Sequence, residues 1–261
     1  MKTWAIANQK GGVGKTTTTV SLAGLIANKG GRALVVDLDP HGSLTSYLGF
    51  DPESNEPSVY DLFKGRGERD AVLPLLRQTE VPGLRLLPAS TALATLDRQL
   101  GSRSGMGLVM RRALQSVADR FDYALIDCPP MLGVLMVNAL AACDRLLVPV
   151  QTEFLALKGL ERMVHTLDMI QRSRTHELPY LIVPTMFDRR TKASSEALRE
   201  LREAYPERMW SGAIPVDTQF RDASKQGKPL TVLHPWARGS LAYRKLLDTL
   251  LEDQPQEAQH A

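Results

Sequence analysis

Three short stretches of the 261-residue chain carry the residue types that handle phosphates and metal ions. The first is Asn8-Gln9-Lys10-Gly11-Gly12-Val13-Gly14-Lys15-Thr16-Thr17. Its glycines let consecutive backbone N–H groups curve around an anion, because no Cβ blocks the close approach. Lys15 is placed to reach β- and γ-phosphates as a point charge, and the Thr16 hydroxyl to complete the shell of a Mg²⁺ ion bridging them. The second is Asp37-Leu38-Asp39-Pro40-His41-Gly42. Two carboxylates at i and i+2 leave a strand tip on one side, where they can orient a water or meet a cation. The third is Tyr123-Ala124-Leu125-Ile126-Asp127-Cys128-Pro129-Pro130, an apolar strand ending in the carboxylate expected to hold Mg²⁺ through a water or hydroxyl.

These stretches need elements to position them. The apolar residues 4–7 read as a strand, and Val20, Leu22, Ala23, Leu25 and Ile26 have helical spacing, so the glycine loop sits between strand and helix. Gly30-Gly31 stops the helix, and Ala33-Leu34-Val35-Val36 is the next strand, apolar enough for a parallel sheet covered on both faces. Residues 51–69 are polar and broken by Pro and Gly, with a helical island at residues 59–63. Residues 84–90 read as strand and turn, the stretch to Leu100 has helical spacing, residues 101–107 form a loop, and a helix runs through Val109, Met110, Ala113, Leu114 and Val117. A further strand leads to Val148-Pro149-Val150, a long helix ends near Arg174, and another strand, residues 181–185, precedes a helix through Leu198 and Leu201. Strand and helix alternate throughout, which predicts an α/β three-layer P-loop NTPase fold with a mostly parallel twisted sheet flanked by helices. One domain is expected over residues 1–252, with a polar, disordered tail at 253–261.

Hydrophobic residues are 43% and charged residues 23% of the chain, a globular composition. No apolar run approaches the ~20 residues that span a bilayer, and no signal pattern opens the chain, so a cytoplasmic protein is expected. Cys128 and Cys143 lie in or beside apolar runs without ligand-like spacing and read as buried small hydrophobes. The net charge of +3 predicts no nucleic-acid partner by itself, but between Arg189 and Lys245 twelve Lys/Arg stand against six Asp/Glu. A local basic face is permitted there.

The glycine loop departs from the ordinary pattern, with Gln9 where glycine is usual and Lys10 just inside the loop. In this it resembles the deviant Walker A ATPases of the ParA/MinD group, whose loop reads Lys-Gly-Gly-x-Gly-Lys-Thr. Further matches are Asp37 to Gly42, Asp127-Cys128-Pro129-Pro130 with Asn138-Ala139-Leu140, residues 148–154, Ile214-Pro215-Val216-Asp217 and residues 234–243, so the resemblance spans about residues 3–250. It implies ATP and Mg²⁺ as cofactors and slow ATP hydrolysis to ADP and phosphate. It implies a catalytic set of Lys10, Lys15 and Asp39, with Asp39 positioning the attacking water and Asp37 in support. Gly11, Gly12, Val13, Gly14, Thr16 and Thr17 would bind the phosphates, and Pro215, Val216 and Asp217 the adenine. Thr16, Asp37 and Asp127 would surround Mg²⁺, Asp127 through a water. Lys10 would cross a sandwich homodimer to the partner's phosphates. His41 stands where the family has Gln.

The resemblance also implies partners. A ParA-like ATP dimer binds DNA without sequence preference and is released by a ParB-like or cargo-bound activating protein, while positioning a chromosome, a plasmid or a protein complex such as a chemoreceptor array. Arg190 matches a DNA-contacting arginine of relatives, but Val216 and Gln219 stand where arginine is frequent, leaving Arg221, Lys225 and Lys228 to compensate. Nucleoid association or polar foci would follow. A MinD-like membrane ATPase needs a basic amphipathic C-terminal helix, whereas residues 250–257 are acidic and proline-broken, so no membrane partner is expected. A nitrogenase-reductase-like redox ATPase needs cysteines that bridge a cluster between subunits, and neither cysteine has that setting.

Overall fold

The computed structural model describes residues 1–65, 71–96, 106–172 and 176–253. Seven strands form one sheet: β1 (Lys2–Ile6), β2 (Ala33–Asp37), β3 (Arg77–Gln78), β4 (Leu84–Leu87), β5 (Tyr123–Asp127), β6 (Arg145–Gln151) and β7 (Tyr180–Thr185). Their order is β3-β4-β2-β5-β1-β6-β7, parallel throughout except for β3 against β4. The two-residue β3 is too short to leave a period in the sequence. The outer side of β7 is partly covered by isolated bridges from Ile182 to Met209 and from Phe187 to Pro215.

Alternation along each strand divides the core in two. Trp4, Ile6, Val35 and Leu125 face one layer, built on α1 (Lys15–Asn28) and α10 (Arg238–Glu252). Ala5, Leu34, Val36 and Ile126 face the other, which holds α3 (Val59–Lys64), α4 (Val109–Ser116), α5 (Val134–Ala142), α6 (Ala156–Gln171) and α7 (Lys192–Ala204). Both sheet faces are thus buried, as continuous apolar strands require. The short helices α2 (Ser43–Tyr47), α8 (Gln219–Lys225) and α9 (Leu230–Leu233) complete the described helices named here.

The expected strands, the island at α3 and the alternating order are all present. Of the stretch expected to be helical to Leu100, Thr91–Thr95 form a 3₁₀ helix and Leu96 is α-helical, while residues 97–105, with most of the expected loop at 101–107, lie outside the described residues. So do residues 254–261 of the expected tail and residues 173–175 beyond α6. No described helix is long and apolar enough to cross a membrane.

Asn138, a motif residue by resemblance alone, has a structural task. Its Oδ1 accepts from Met110 N, and its Nδ2 donates to the Met106 and Val134 carbonyls, pinning the start of α4 to α5.

Candidate nucleotide site

β1, β2 and β5 run side by side with Ile6, Asp37 and Asp127 in one register. The loops that follow them therefore meet at one end of the sheet, the carboxyl end at which open α/β sheets bind ligands.

The loop after β1 is built from the residues expected of it. Gly12 and Gly14 have φ of 74° and 90°, left-handed conformations that strain any residue with a Cβ. Gly14 is the N-cap of α1, with no side chain capping it and no acid in the first turn. The N-terminal amides and the positive end of this 14-residue helix remain available to an anion. The base of the loop is fastened from a distance. Asn8 Nδ2 donates to Pro149 O, Gln9 Nε2 to Thr166 Oγ1, and Thr185 Oγ1 to Val13 O at 2.8 Å. Lys15 is buried, and its ammonium donates to Lys10 O at 3.4 Å. Thr17 lies in the first turn of α1.

Thr16 and Asp127, 111 residues apart, are brought together: the Thr16 hydroxyl donates to Asp127 Oδ2 at 2.6 Å. Asp127 is fully buried, and its other oxygen, Oδ1, has no hydrogen-bond partner. An unpartnered buried carboxylate oxygen is costly, and a hard divalent cation takes oxygen donors of this kind. Thr16 and Asp127 therefore fit Mg²⁺. Burial pushes the Asp127 carboxyl well above the usual range, and the charge of Asp37 adds to the rise.

Asp37 is arranged differently from a carboxylate waiting for a metal. Its Oδ1 accepts from Asp39 N, and its Oδ2 from both Thr45 N and Thr45 Oγ1 at 2.8 and 2.7 Å. Burial raises its pKa to about 7 even though these hydrogen bonds favour the charged form. The result is an anchored loop. Asp39, two residues on, keeps a partly exposed side chain whose Oδ1 accepts from His41 N at 3.0 Å and meets His41 Nδ1 at 2.8 Å.

Lys10 lies on the outer side of the loop, paired with Glu153 at the end of β6, a partner that sequence spacing did not single out. A Cβ on the neighbouring Gly11 would meet nothing within 4 Å. Around this end of the sheet stand large exposed apolar side chains: Met131 and Leu132 after Asp127, and Phe154 and Leu155 after Glu153.

Of the expected adenine loop, Pro215 and Val216 continue the bridge to Phe187, whereas the Asp217 side chain accepts from Gln219 N and from Gly239 N in the first turn of α10. Arg190 is exposed but donates through Nε and Nη2 to Asp188, which holds that carboxyl down at about 2. Arg221 and Lys225 lie on α8, without an ion pair among the described residues. Arg189, Arg190, Arg202, Arg238 and Lys245 line a groove of about 930 Å³ whose floor includes Phe187, Leu198 and Val216. Cys128 and Cys143 are buried thiols.

A family model described as an AAA domain matches residues 1–180. The chain is 36% identical to the sporulation initiation inhibitor protein Soj of Bacillus subtilis, over 93% of this chain and 95% of that protein. It is also 36% identical to the chromosome partitioning protein ParA of Caulobacter vibrioides, over 94% and 92%. Among solved structures it is similar to cobyrinic acid a,c-diamide synthase from Mycobacterium smegmatis with bound ATP analogue and magnesium. That match has 35% identity and a TM-score of 0.83, over 97% and 95% of the two chains.

Proposed function

The chain belongs to the ParA/Soj family of P-loop ATPases, and from that premise we propose that it is an ATP-driven positioning switch. It binds ATP with Mg²⁺, closes into a sandwich dimer, engages DNA through phosphate contacts, and is returned to the monomer by hydrolysis that a cargo-bound partner accelerates.

The observation that carries the ATPase reading is the Thr16–Asp127 hydrogen bond with the unpartnered Asp127 Oδ1 beside it, at the foot of a left-handed glycine loop. The ATP analogue and magnesium of the mycobacterial neighbour support ATP and Mg²⁺ as the ligands of this loop. Mg²⁺ would supply charge neutralisation across the β- and γ-phosphates. Lys15 and the amides of residues 11–17 bind those phosphates, Asp39 orients the attacking water, and Asp37 fixes the loop from which Asp39 acts.

Dimer formation is supported by Lys10, by the open space at Gly11 and by the apolar side chains Met131, Leu132, Phe154 and Leu155 at the same end of the sheet. A second copy laid face to face would cover them. DNA binding is supported by the basic groove and by Arg221 and Lys225, with Arg190 weakened as a contributor by Asp188. The relatives named for partitioning support a chromosome, plasmid or large complex as cargo.

The test is binding of full-length Asp39→Ala to random-sequence duplex DNA, with ATP against ADP, over a salt series. Retention only with ATP, falling steeply with salt, is expected. An ATP dimer that ignores DNA would transfer the scaffold role to a protein complex.

A further inference from the structure

His41 is the one departure from the family pattern inside the Asp37–Gly42 loop, and its geometry is specific. Its backbone N–H and its Nδ1 both meet the same atom, Asp39 Oδ1, at 3.0 and 2.8 Å. A carboxylate oxygen only accepts, so Nδ1 is the donor in this contact. The ring is otherwise open, with 79% of the side chain exposed against 13% for Asp39. Nothing but Asp39 holds it among the described contacts.

The loop is constrained around this contact. Asp37 Oδ1 receives Asp39 N, Asp37 Oδ2 receives both groups of Thr45, and Pro40 has a fixed φ. Gly42 N donates to Asp39 O at 2.8 Å, and Gly42 itself has φ of 62°, with a Cβ there falling 2.3 Å from Pro52 Cβ. The backbone on both sides of Asp39 is therefore set, and the remaining freedom at that residue is rotation of its carboxylate. Two donors on Oδ1 remove that rotation and leave Oδ2 as the oxygen with free lone pairs.

We propose that His41 is a positioning residue for ATP hydrolysis, holding Asp39 through Oδ1 so that Oδ2 alone addresses the attacking water. This rests on the reading of Asp39 as the hydrolytic carboxylate. In the step served, the water oxygen bonds to the γ-phosphorus and the bond to the β–γ bridging oxygen breaks, its electron pair leaving with ADP. One water proton passes to Oδ2 and on to solvent, and the other stays on the phosphate product. The family's Gln carries its amide one bond further from the backbone, where Nε2 stands in histidine. The Nδ1 contact is therefore a device of this chain. Asparagine, in contrast, places Nδ2 where histidine has Nδ1.

The experiment is steady-state phosphate release by the full-length protein over an ATP series at saturating Mg²⁺, for wild type, His41→Ala, His41→Gln, His41→Asn and Asp39→Ala. Positioning predicts a kcat about tenfold lower in His41→Ala and His41→Gln, with KM for ATP unchanged within about twofold. It predicts recovery to within about twofold of wild type in His41→Asn, because the δ donor is restored. Melting temperatures should stay together, since the ring is exposed, and this separates positioning from damage to the fold. Wild-type kcat in His41→Ala overturns the proposal, as does an Asn variant as slow as the Ala variant. Wild-type turnover in Asp39→Ala would instead overturn the reading of Asp39 beneath it.

Discussion

Lys15 combines burial with a charge whose one hydrogen bond among the described residues is to the Lys10 carbonyl, at 3.4 Å. A buried ammonium so weakly engaged is ready for an anion. Lys15→Ala should lower ATP affinity by at least about 100-fold, read by equilibrium titration with a fluorescent ATP analogue. Lys10 is the contrasting case, since its partner Glu153 lies in the same chain and it sits at the rim of the loop. Lys10→Ala should keep nucleotide binding within about tenfold while abolishing the ATP-dependent dimer, read by light scattering behind gel filtration. A variant that still dimerises would remove Lys10 from the interface. At this scale the gathering of the lysines, Thr16 and the three aspartates at one end of the sheet was legible, because a strand, a glycine loop and a helix in succession leave little choice of geometry, whereas the capture of both Asp37 oxygens by Asp39 N and Thr45 was not. The Glu153 pairing and the two donors on Asp39 Oδ1 were not, because spacing says where a side chain starts and not which neighbour it meets.

Elements transmit what those residues need. The glycine loop is held by Thr185 from β7 and by Asn8 and Gln9 to β6 and α6, so its shape depends on strands far away in the chain. Gly11 is free of such contacts, and a Cβ there meets nothing. Gly11→Val should therefore leave the melting temperature of the monomer unchanged while preventing ATP-dependent dimerisation, a separation that calorimetry and gel filtration together can read. Asn138 is the opposite kind of residue, buried and tied three ways across α4 and α5. Asn138→Ala strands Met110 N and the Met106 carbonyl and should cost about 2 kcal/mol of stability in denaturant titration, with ATP affinity little altered. Helix and strand succession was legible from apolar runs and their periods. The antiparallel β3 and the bridges beside β7 were not, being one or two residues long and decided by the sheet they join.

For the whole molecule, the two buried carboxylates Asp37 and Asp127 set a pH dependence. Both have folded-state pKa values raised by burial, Asp37 to about 7. The nucleotide-free fold then binds more protons than the unfolded chain between about pH 4 and 7, so this contribution to stability is full at low pH and is lost as pH rises. The lowered groups Asp122 and Asp188, at about 2, act below that window. The melting temperature without nucleotide should fall between about pH 5 and 7.5, and Mg²⁺ with ATP should flatten the fall, because a cation beside Asp127 favours its charged form. A melting curve that rises over this range in the apo protein would contradict the assignment. DNA binding belongs to the same scale. Arg221→Glu with Lys225→Glu should weaken it across all sequences and shallow its salt slope by about two, more than Arg190→Ala, whose charge Asp188 already offsets.

The sheet ends quietly on both sides, with a two-residue antiparallel strand at one margin and residues 209–215 laid along the other. Long bare strand margins invite other chains to add on by backbone pairing, and such growth does not stop. The switch proposed above, which pairs and separates on each round of nucleotide turnover, requires that such growth be blocked. Here Met131, Leu132, Phe154 and Leu155 stand exposed at the nucleotide end while the sheet margins are blunted, so under the proposed cycle crowding would favour closed pairs that hydrolysis can undo over open-ended fibres that it cannot.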